Sequence, residues 1–549
     1  MYRESTITPW TGAMLIAGAF AIIFGGWIFF PRELFREEAL YAVQAAEFDW
    51  RNFVVTAQET PIRNAYPMYP ALVSLLYHGI GLPMELSLRL VSVFFIAAGS
   101  VLVYFSAATG NGVRSGLVGA AMYCSTLLML DKGVSGAPES MSAFFLLAAQ
   151  MCFFYFGMRR GKWHIAWAGS SLFLIAGYFS GGFLIPLLFI VPMLFFRRLI
   201  AGKAKYRNWG FVAGTILLII SCLGKVAVHW SLERTAGGTI FFRGFAEPDY
   251  LLEFLTYWFK LPVWLLPWSF IAWIPFCVAL QRIDDKPLFS KYLRIQTMVT
   301  AFMLWFTPRD DHRELFYLLG NLSILCGVYY ELGMRRFGER LRKAAPFAEY
   351  AVLVIVMMFA AGLMVEEKLL SKCFSLSNTL NFRDAPETVF HALAGVACIM
   401  IIWGVLRCMR RKMPVWLVLL ALSVTAGMFS GVMLLRYRAQ DMEKGKVGRY
   451  IKKTLADAER TPGTPVLYKV GTEDLYGELF YSGARVKRIH STDDLPDSTS
   501  GDIYLLSSFF PQNPKWSWRN LLPDGYSCNG RRMMLWRGTR NSREKFTER

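Results

Sequence analysis

Long apolar runs alternate with short polar stretches from residue 10 to about residue 435. A helix needs about 20 apolar residues to cross a bilayer. The pattern therefore predicts about 13 membrane-spanning helices. They lie at residues 10–30, 86–107, 113–130, 141–157, 164–180, 183–196, 208–228, 261–281, 295–307, 315–333, 348–366, 390–406 and 414–435.

The pattern changes after residue 436. Residues 442–460 predict a surface helix, and "PVLYKV", "ARVKRIH", "DIYLLSS" and "RMMLWRG" predict short strands separated by Gly, Pro, Asp and Ser turns. We therefore predict a transmembrane domain, residues 1–436, and a small α/β domain, residues 437–549. The first outer loop, residues 31–85, belongs to the transmembrane domain and contains amphipathic segments that predict interfacial helices.

The composition agrees with a polytopic membrane protein, since 54% of the residues are hydrophobic and only 18% are charged. Soluble domains have about a quarter of their residues charged. The net charge of +19 would also suit a nucleic-acid partner, but Lys and Arg concentrate in every second connection between spans. This is the positive-inside pattern of cytoplasmic loops. The N-terminus is then cytoplasmic, the tail is extracytoplasmic, and no nucleic-acid partner is expected.

Unusual polar residues gather on the predicted outer side. Glu37 and Glu38 follow the first span, Glu139 follows the third in "DKGVSGAPES", and "TPRDDHRELFY" follows the ninth. A carboxylate at the membrane edge must be paired, coordinate a cation or line a wet cavity. We expect these acids to share a polar cavity. The alternative is that Glu37 and Glu38 are solvated residues of an interfacial helix, and that Glu139 merely supplies polarity to a short loop.

Several segments resemble, in order and spacing, the GT-C class of polyprenyl-phosphate-dependent membrane glycosyltransferases. The resemblance is greatest to the bacterial lipid A aminoarabinose transferases and extends more distantly to the protein O-mannosyltransferases. In this family a D-E-x-x-Y-A motif follows span one, and "EEALYA" is similar to it, with Glu37 in the place of the Asp. A second family acid follows span three, where "SGAPESMSAFF" has Glu139. "LPWS" is similar to the family's span-eight motif.

"TPRDDHRELFYLLG" is similar to a segment in which a Lys precedes a Tyr by four residues, which places Arg313 and Tyr317 at those positions. The chain also departs from the family. Both acids are Glu rather than Asp, and "NAYPMYP" lacks the Lys of a K-P-P element, although Arg63 is nearby. No Lys stands near "GYFSGGFLIP", where the family commonly has one.

The resemblance implies a GT-C fold with a C-terminal extracytoplasmic α/β domain, located as a multi-pass protein in a bacterial-type inner membrane. It implies an inverting glycosyltransferase that moves a sugar from a polyprenyl-phosphate donor to a hydroxyl or phosphate of a lipid, glycan or protein acceptor on the outer face. Glu37 is the expected general base, a role worth about 10²–10⁴ in rate. Glu38 and Glu139 are the expected supporting acids that orient the acceptor.

Two kinds of binding site are also implied. Glu37 and Glu139 are expected as ligands of a divalent cation (Mg, Mn or Zn). Glu38 and Glu139 are expected either to hold such a cation between carboxylate and phosphate or instead to orient the acceptor. The donor phosphate is expected to contact a set of cationic and hydrogen-bonding side chains, because guanidinium binds phosphate bidentately. These are Arg63, Arg313, His312 and Tyr317.

Two other functions are compatible with the same span pattern. A membrane transporter also carries ionisable groups in its spans, although usually at mid-membrane, whereas here they cluster at helix ends. A lipid-linked glycan ligase or polymerase would share the architecture and use a diphosphate-linked donor.

Overall fold

The computed structural model describes residues 14, 20, 24, 34, 37–51, 53, 55–57, 60–61, 66–196, 208–232, 250–307, 312–364, 415–420, 447–456, 466–470, 475–489, 491–495, 502–522, 526–528 and 531–540. The predicted span 390–406 lies outside these residues, and spans 10–30 and 414–435 lie mostly outside them. The predicted number of 13 spans therefore stays a prediction.

The first half of the chain is helical, with a two-stranded hairpin between its first two helices. The helices are α1 (Glu37–Ala46), α2 (Met68–Ser74), α3 (Met84–Asn111), α4 (Val113–Ser125), α5 (Leu127–Lys132), α6 (Glu139–Cys152), α7 (Trp163–Gly181), α8 (Leu184–Leu194) and α9 (Trp209–Leu232). The hairpin strands are β1 (Thr56–Ala57) and β2 (Thr60–Pro61), and π-helical turns extend α2 over Leu75–Ile80 and α6 over Phe153–Arg159.

The second half adds further helices and a sheet. The helices are α10 (Tyr250–Trp264), α11 (Ser269–Ala272), α12 (Val278–Gln281), α13 (Pro287–Trp305), α14 (Phe316–Met364), α15 (447–456) and α16 (Tyr476–Ser482). Residues 415–420 are also helical, and short 3₁₀ turns cover Ile274–Phe276, Arg313–Leu315 and Thr492–Asp494. The strands are β3 (Val466–Val470), β4 (Arg485–Ile489), β5 (Ile503–Ser507), β6 (Trp516–Asn520), β7 (Tyr526–Cys528) and β8 (Arg531–Arg540).

The chain is a membrane protein by the length and composition of its helices. Among the described residues, three helical segments are long and apolar enough to cross a membrane, namely Met84–Asn111, Glu139–Arg159 and Arg313–Met334. Leu184–Leu194 and Trp209–Lys225 are shorter apolar segments. Each coincides with a predicted span, which confirms the helices but not the orientation of the chain.

The prediction of one span over residues 261–281 is wrong. In its place the structure has the end of α10, then α11, the turn Ile274–Phe276 and α12. Pro267 and Pro275 explain the interruptions, because proline has no N–H to donate within a helix. Trp268, at the break, is fully buried and donates its indole N–H to Ser125 Oγ at 2.9 Å.

The predicted break between spans 315–333 and 348–366 is also wrong. The single helix α14 runs for 49 residues through both. The connection "MRRFGERLRKAAPF", residues 334–347, is predicted as a cytoplasmic loop because Lys and Arg concentrate in it. Arg, Glu, Lys, Leu and Ala are strong helix formers, and the helix continues through this charged stretch even though the stretch contains Pro346.

The chain divides into two compact units. Unit 1 comprises the described residues of Met1–Phe30 and Arg89–Tyr437, and unit 2 those of Pro31–Leu88 and Arg438–Arg549. The first outer loop is thus part of the same compact unit as the tail. The predicted domain organisation, which assigns residues 31–85 to the transmembrane domain, stays a prediction.

Unit 1 contains a hydrogen-bonded network of buried amides between three of its helices. Gln150 of α6 donates from Nε2 to Gln296 Oε1 of α13 at 3.0 Å, and its own Oε1 accepts from Asn321 Nδ2 of α14 at 2.8 Å. Tyr292 donates to the Gln150 carbonyl at 3.0 Å. The three amides are at most 1% exposed. In an apolar environment each depends on the others for its hydrogen bonds, so the network fixes how these helices pack.

Unit 2 contains the predicted α/β tail. Its sheet has the order β4-β3-β5-β8-β6, with β3 parallel to β4 and β5, and β8 antiparallel to β5, β6 and β7. The four predicted strands and the helix within 442–460 are confirmed, whereas α16, β6 and β7 were not predicted. Helix α15 buries Ile451 and Leu455 against the sheet, with Leu467 and Leu506 in the same core.

We predict that Gln150→Leu destabilises unit 1. The substitution leaves two buried amides without their partner, which costs about 1–3 kcal/mol. Thermal unfolding of the purified protein in detergent should show a lower midpoint. The matched control is Gln281→Leu, which removes one 3.3 Å bond to the Phe276 carbonyl at a partly exposed position. Equal midpoints for the two variants would contradict a stabilising role of the network.

Candidate active site

The predicted acid pair lies in the first turn of α1, in unit 2. The sequence "EEALYAVQAA" is rich in helix-forming Ala, and acids in a first turn interact favourably with the helix dipole. The helix buries Ala39, Ala42 and Val43 on one face. Glu38 is only 1% exposed, whereas Glu37 faces solvent. Burial therefore distinguishes the two acids, with Glu38 on the packed side of the helix.

Neighbouring aromatic residues hold α1 against α2. The rings of Tyr41 and Tyr69 meet edge-to-face at 5.7 Å. Tyr69 is fully buried and donates from its hydroxyl to the Leu88 carbonyl at 2.9 Å. The acid-bearing helix thus packs on the predicted interfacial helix that follows it. Arg63, which was predicted to contact the donor phosphate, lies outside the described residues.

Glu139 begins α6, in unit 1, and is 9% exposed. The turn before it is tied to α3 by Ser92, whose Oγ donates to the Ala137 carbonyl and accepts from the Ala137 N–H, both at 3.1 Å. Pro138 then occupies the N-cap position with a helical backbone. Two hydrogen bonds and a proline therefore set the position of Glu139 at the start of its helix.

Tyr317 meets the first turn of α6 through Ser142. The two hydroxyl oxygens are 3.1 Å apart, and Ser142 Oγ is also 3.2 Å from the Pro138 carbonyl and 3.1 Å from the Glu139 carbonyl. Because the single Ser142 proton is directed to these carbonyls, Tyr317 donates to Ser142. The beginnings of α6 and α14 are thereby joined, as the prediction of a common polar region requires for Glu139 and Tyr317.

His312 and Arg313 form a buried turn just before α14. His312 has φ 55° and ψ 12°, which is the left-handed region that non-glycine residues rarely adopt. His312, Arg313 and Glu314 are 8%, 7% and 3% exposed. Such backbone strain is maintained only where the surrounding structure compensates for it, and it is frequent at functional sites. The turn places three adjacent ionisable side chains inside unit 1.

Helix α10 supplies an acid and a second cation to this turn. Glu253 accepts a hydrogen bond from Lys260 Nζ at 2.6 Å, and its other contact is His312 Nε2 at 3.8 Å. Trp264 completes the cluster, with its ring 5.8 Å from the His312 ring and 5.8 Å from Lys132 Nζ. We call Lys132, Glu253, Lys260, Trp264, His312 and Arg313 the Trp264 cluster. Lys132, Lys260 and Arg313 are three cationic groups of the kind that bind an anion, and the nearby carboxylates of Asp131, Glu253 and Glu314 match them in number, with Asp131 3.5 Å from Lys132.

Tyr257, on α10, is buried close to the Glu314 carboxylate. Burial, together with the nearby Glu314 carboxylate, raises the pKa of Tyr257 above its ordinary value. The phenol is therefore protonated at neutral pH. Tyr257 of α10 and Glu314 of the turn before α14 thus bring a hydroxyl and an acid close to the Trp264 cluster.

Unit 1 contains four of the predicted site residues, with Glu139 at the start of α6 and His312, Arg313 and Tyr317 at the start of α14, and the bond between Ser142 and Tyr317 links the two helix starts. Glu37 and Glu38 lie in unit 2, and the cavity predicted to include them stays a prediction. Glu253, Lys260 and Lys132 were not singled out from the sequence. Glu253 and Lys260 are seven residues apart, a spacing that puts both on one face of a helix. This spacing is the sequence signal for their pairing.

The predicted divalent-cation site would need several acidic, His or Cys side chains close together. Across the described ranges, no three His, Cys, Asp or Glu side chains are clustered so as to hold a metal ion. A cation between Glu37 and Glu139 stays a prediction.

Comparison with solved structures identifies the fold. ArnT from Cupriavidus metallidurans in the apo state has a TM-score of 0.65 and 14% sequence identity, over 96% of this chain and 98% of that chain. The same protein bound to undecaprenyl phosphate also gives 0.65 and 14%, over 95% and 97%. A weaker likeness, with a TM-score of 0.46 and 12% identity over 88% and 65%, is to the Archaeoglobus fulgidus oligosaccharyltransferase in the apo form. No protein-family model and no curated protein matches the chain.

The predicted resemblance to the GT-C membrane glycosyltransferases is thereby confirmed at the level of fold. The likeness extends over nearly the whole length of both chains, so the α/β tail is included. At 14% sequence identity the likeness shows the fold alone. The reaction has to be argued from the residues of the site.

We predict that Arg313→Ala raises the donor KM about 10- to 100-fold. A charged hydrogen bond to phosphate contributes about 1.5–3 kcal/mol, and each 1.4 kcal/mol is a factor of ten. The measurement is transfer rate against donor concentration. Arg114→Ala is the matched control, because Arg114 is largely exposed and pairs with Glu331 at 3.8 Å. An unchanged KM in a folded Arg313→Ala protein would assign Arg313 to packing alone.

Proposed function

We propose that the protein is an inverting membrane glycosyltransferase that moves a sugar from a polyprenyl-phosphate donor to an acceptor hydroxyl or phosphate on the extracytoplasmic face. The observation that carries the proposal is the Trp264 cluster, in which Lys132, Lys260, His312 and Arg313 gather at helix ends in a chain with the ArnT fold. One ArnT structure of this fold has undecaprenyl phosphate bound. A phosphate at the membrane edge needs such cationic donors.

In the proposed reaction the Trp264 cluster binds the donor phosphate. Arg313 supplies a planar, bidentate donor, and Lys132 and Lys260 supply point charges. Glu253 holds Lys260 through both of its carboxylate oxygens, and its Oε2 lies 3.8 Å from His312 Nε2. As the bond between the anomeric carbon and the phosphate oxygen breaks, the electron pair passes to that oxygen. The added negative charge is stabilised by the same cations, which favours departure of the lipid phosphate.

The oxygen of the acceptor forms the new bond to the sugar. An acidic side chain takes the proton of the acceptor hydroxyl while its oxygen attacks the anomeric carbon from the side opposite the phosphate. A single displacement of this kind inverts the configuration. Glu37 is proposed as the base, with Glu38 and Glu139 orienting the acceptor. The sugar, and whether the acceptor is lipid, glycan or protein, are left open by these residues.

A donor comparison tests the proposed class of reaction. Purified protein in detergent or nanodiscs is incubated with a polyprenyl-monophosphate sugar or a polyprenyl-diphosphate oligosaccharide, together with an acceptor extract. We expect release of polyprenyl phosphate from the monophosphate donor and no reaction with the diphosphate donor. Mass spectrometry of the lipid products measures both.

Glu37→Gln is the companion variant, because it retains size and hydrogen bonding but not basicity. Its turnover should fall by about 10²–10⁴ with the protein still folded. Turnover with the diphosphate donor alone would favour a glycan ligase or polymerase. Release of no lipid carrier from either donor would contradict a transferase and favour a transporter.

A further inference from the structure

Tyr481, in the tail, joins two distant segments of the first outer loop within unit 2. Its hydroxyl oxygen accepts a hydrogen bond from the Leu34 N–H at 2.9 Å and donates to Glu85 Oε1 at 2.9 Å. Leu34 lies three residues before Glu37, and Glu85 is in the first turn of α3. One phenol of the tail therefore ties down both ends of the loop that carries the acid pair.

The position of Tyr481 is itself fixed by the core of the tail. Tyr481 lies on α16, which buries Leu479 in the core of the α/β fold and ends at Gly483, where φ is +63°. Its ring has the Arg449 guanidinium 5.6 Å from its centroid. At Gly448 a Cβ would stand 2.4 Å from the Glu478 carbonyl, so only glycine allows α15 to approach α16 this closely.

The tether acts on the start of the acid-bearing helix. Helix α1 packs against α16, and Leu34 is only 2% exposed. The bond fixes the peptide of Leu34, three residues before Glu37, and fixing the backbone of one residue costs about 1–2 kcal/mol of conformational entropy. The direction in which Glu37 and Glu38 leave the first turn thus depends on a residue of the tail.

We propose that Tyr481 is a positioning residue for sugar transfer, and that the tail participates in the reaction by holding the acid-bearing helix α1 through Leu34 and Glu85. The inference rests on the proposed function, in which Glu37 is the base. Tyr481 acts through the Leu34 backbone and need not contact the substrate. The loss of its hydroxyl should therefore lower the rate of the chemical step rather than donor binding.

The test is Tyr481→Phe, which retains the ring and removes both hydrogen bonds. We expect kcat to fall about tenfold with the donor KM unchanged, and the peptide covering residues 34–46 to exchange its amide hydrogens faster. The matched control is Tyr450→Phe, because Tyr450 lies on α15 and is 50% exposed. It should resemble wild type in both measurements.

Variants of Glu85 separate positioning from general destabilisation. Glu85→Gln retains a carbonyl oxygen to accept from Tyr481 and should remain near wild type, whereas Glu85→Leu removes only this bond, leaves Leu34 bonded to Tyr481, and should lower kcat less than Tyr481→Phe does. Combining Tyr481→Phe with Glu85→Leu should add little, since both remove the same bond.

Unchanged kcat and unchanged exchange in Tyr481→Phe would overturn the positioning role while leaving the proposed transferase intact. A fall in kcat without faster exchange at residues 34–46 would also overturn it, because the effect would then not pass through α1. If wild type transfers no sugar, the proposed function fails and the catalytic role of Tyr481 fails with it. Hydrogen exchange would still report the tether, so the two failures are distinguishable.

Discussion

A bilayer offers no hydrogen-bonding partner to a polar side chain, and this constraint decides where polar groups lie in unit 1. Inside the helices, Gln150 uses both ends of its amide, donating to Gln296 and accepting from Asn321. At the helix ends, ionisable groups of opposite charge lie beside one another, such as Glu253 with Lys260 and His312. The same constraint that stabilises the helix packing therefore concentrates reactive groups at the starts of α6 and α14.

Preorganisation of these helix ends has specific causes in the sequence. Ser92 holds the turn before Glu139, Ser142 joins that turn to Tyr317, and His312 adopts a strained left-handed conformation. In the proposed function, a site made in this way presents cations in fixed positions to the donor phosphate. Fixed donors are more effective than mobile ones, because no reorganisation is required when the phosphate charge develops.

Much of the fold could be predicted from local pattern alone. Hydropathy located helices such as α3 and α7 closely, and alternation with turn residues located the strands β3, β4, β5 and β8. The failures have physical causes, since Pro267 and Pro275 divide an apolar run that looks continuous by composition, and helix-forming residues carry α14 through a charged stretch that resembles a loop. Arg313 and Tyr317 were found by resemblance. The bond between Tyr481 and Leu34 joins residues 447 positions apart, and no local pattern signals such a contact.

The most direct test of the central claim, that this chain binds a polyprenyl-phosphate sugar, is mass spectrometry of the lipids that co-purify with it from its native membrane. The account predicts a bound polyprenyl monophosphate carrying one sugar, whose mass names that sugar. Mixing the chain with excess polyprenyl phosphate should displace it, because both ligands present the same phosphate to the Trp264 cluster. Recovery of ordinary bilayer phospholipids alone, with no retention of added polyprenyl phosphate, would contradict the account.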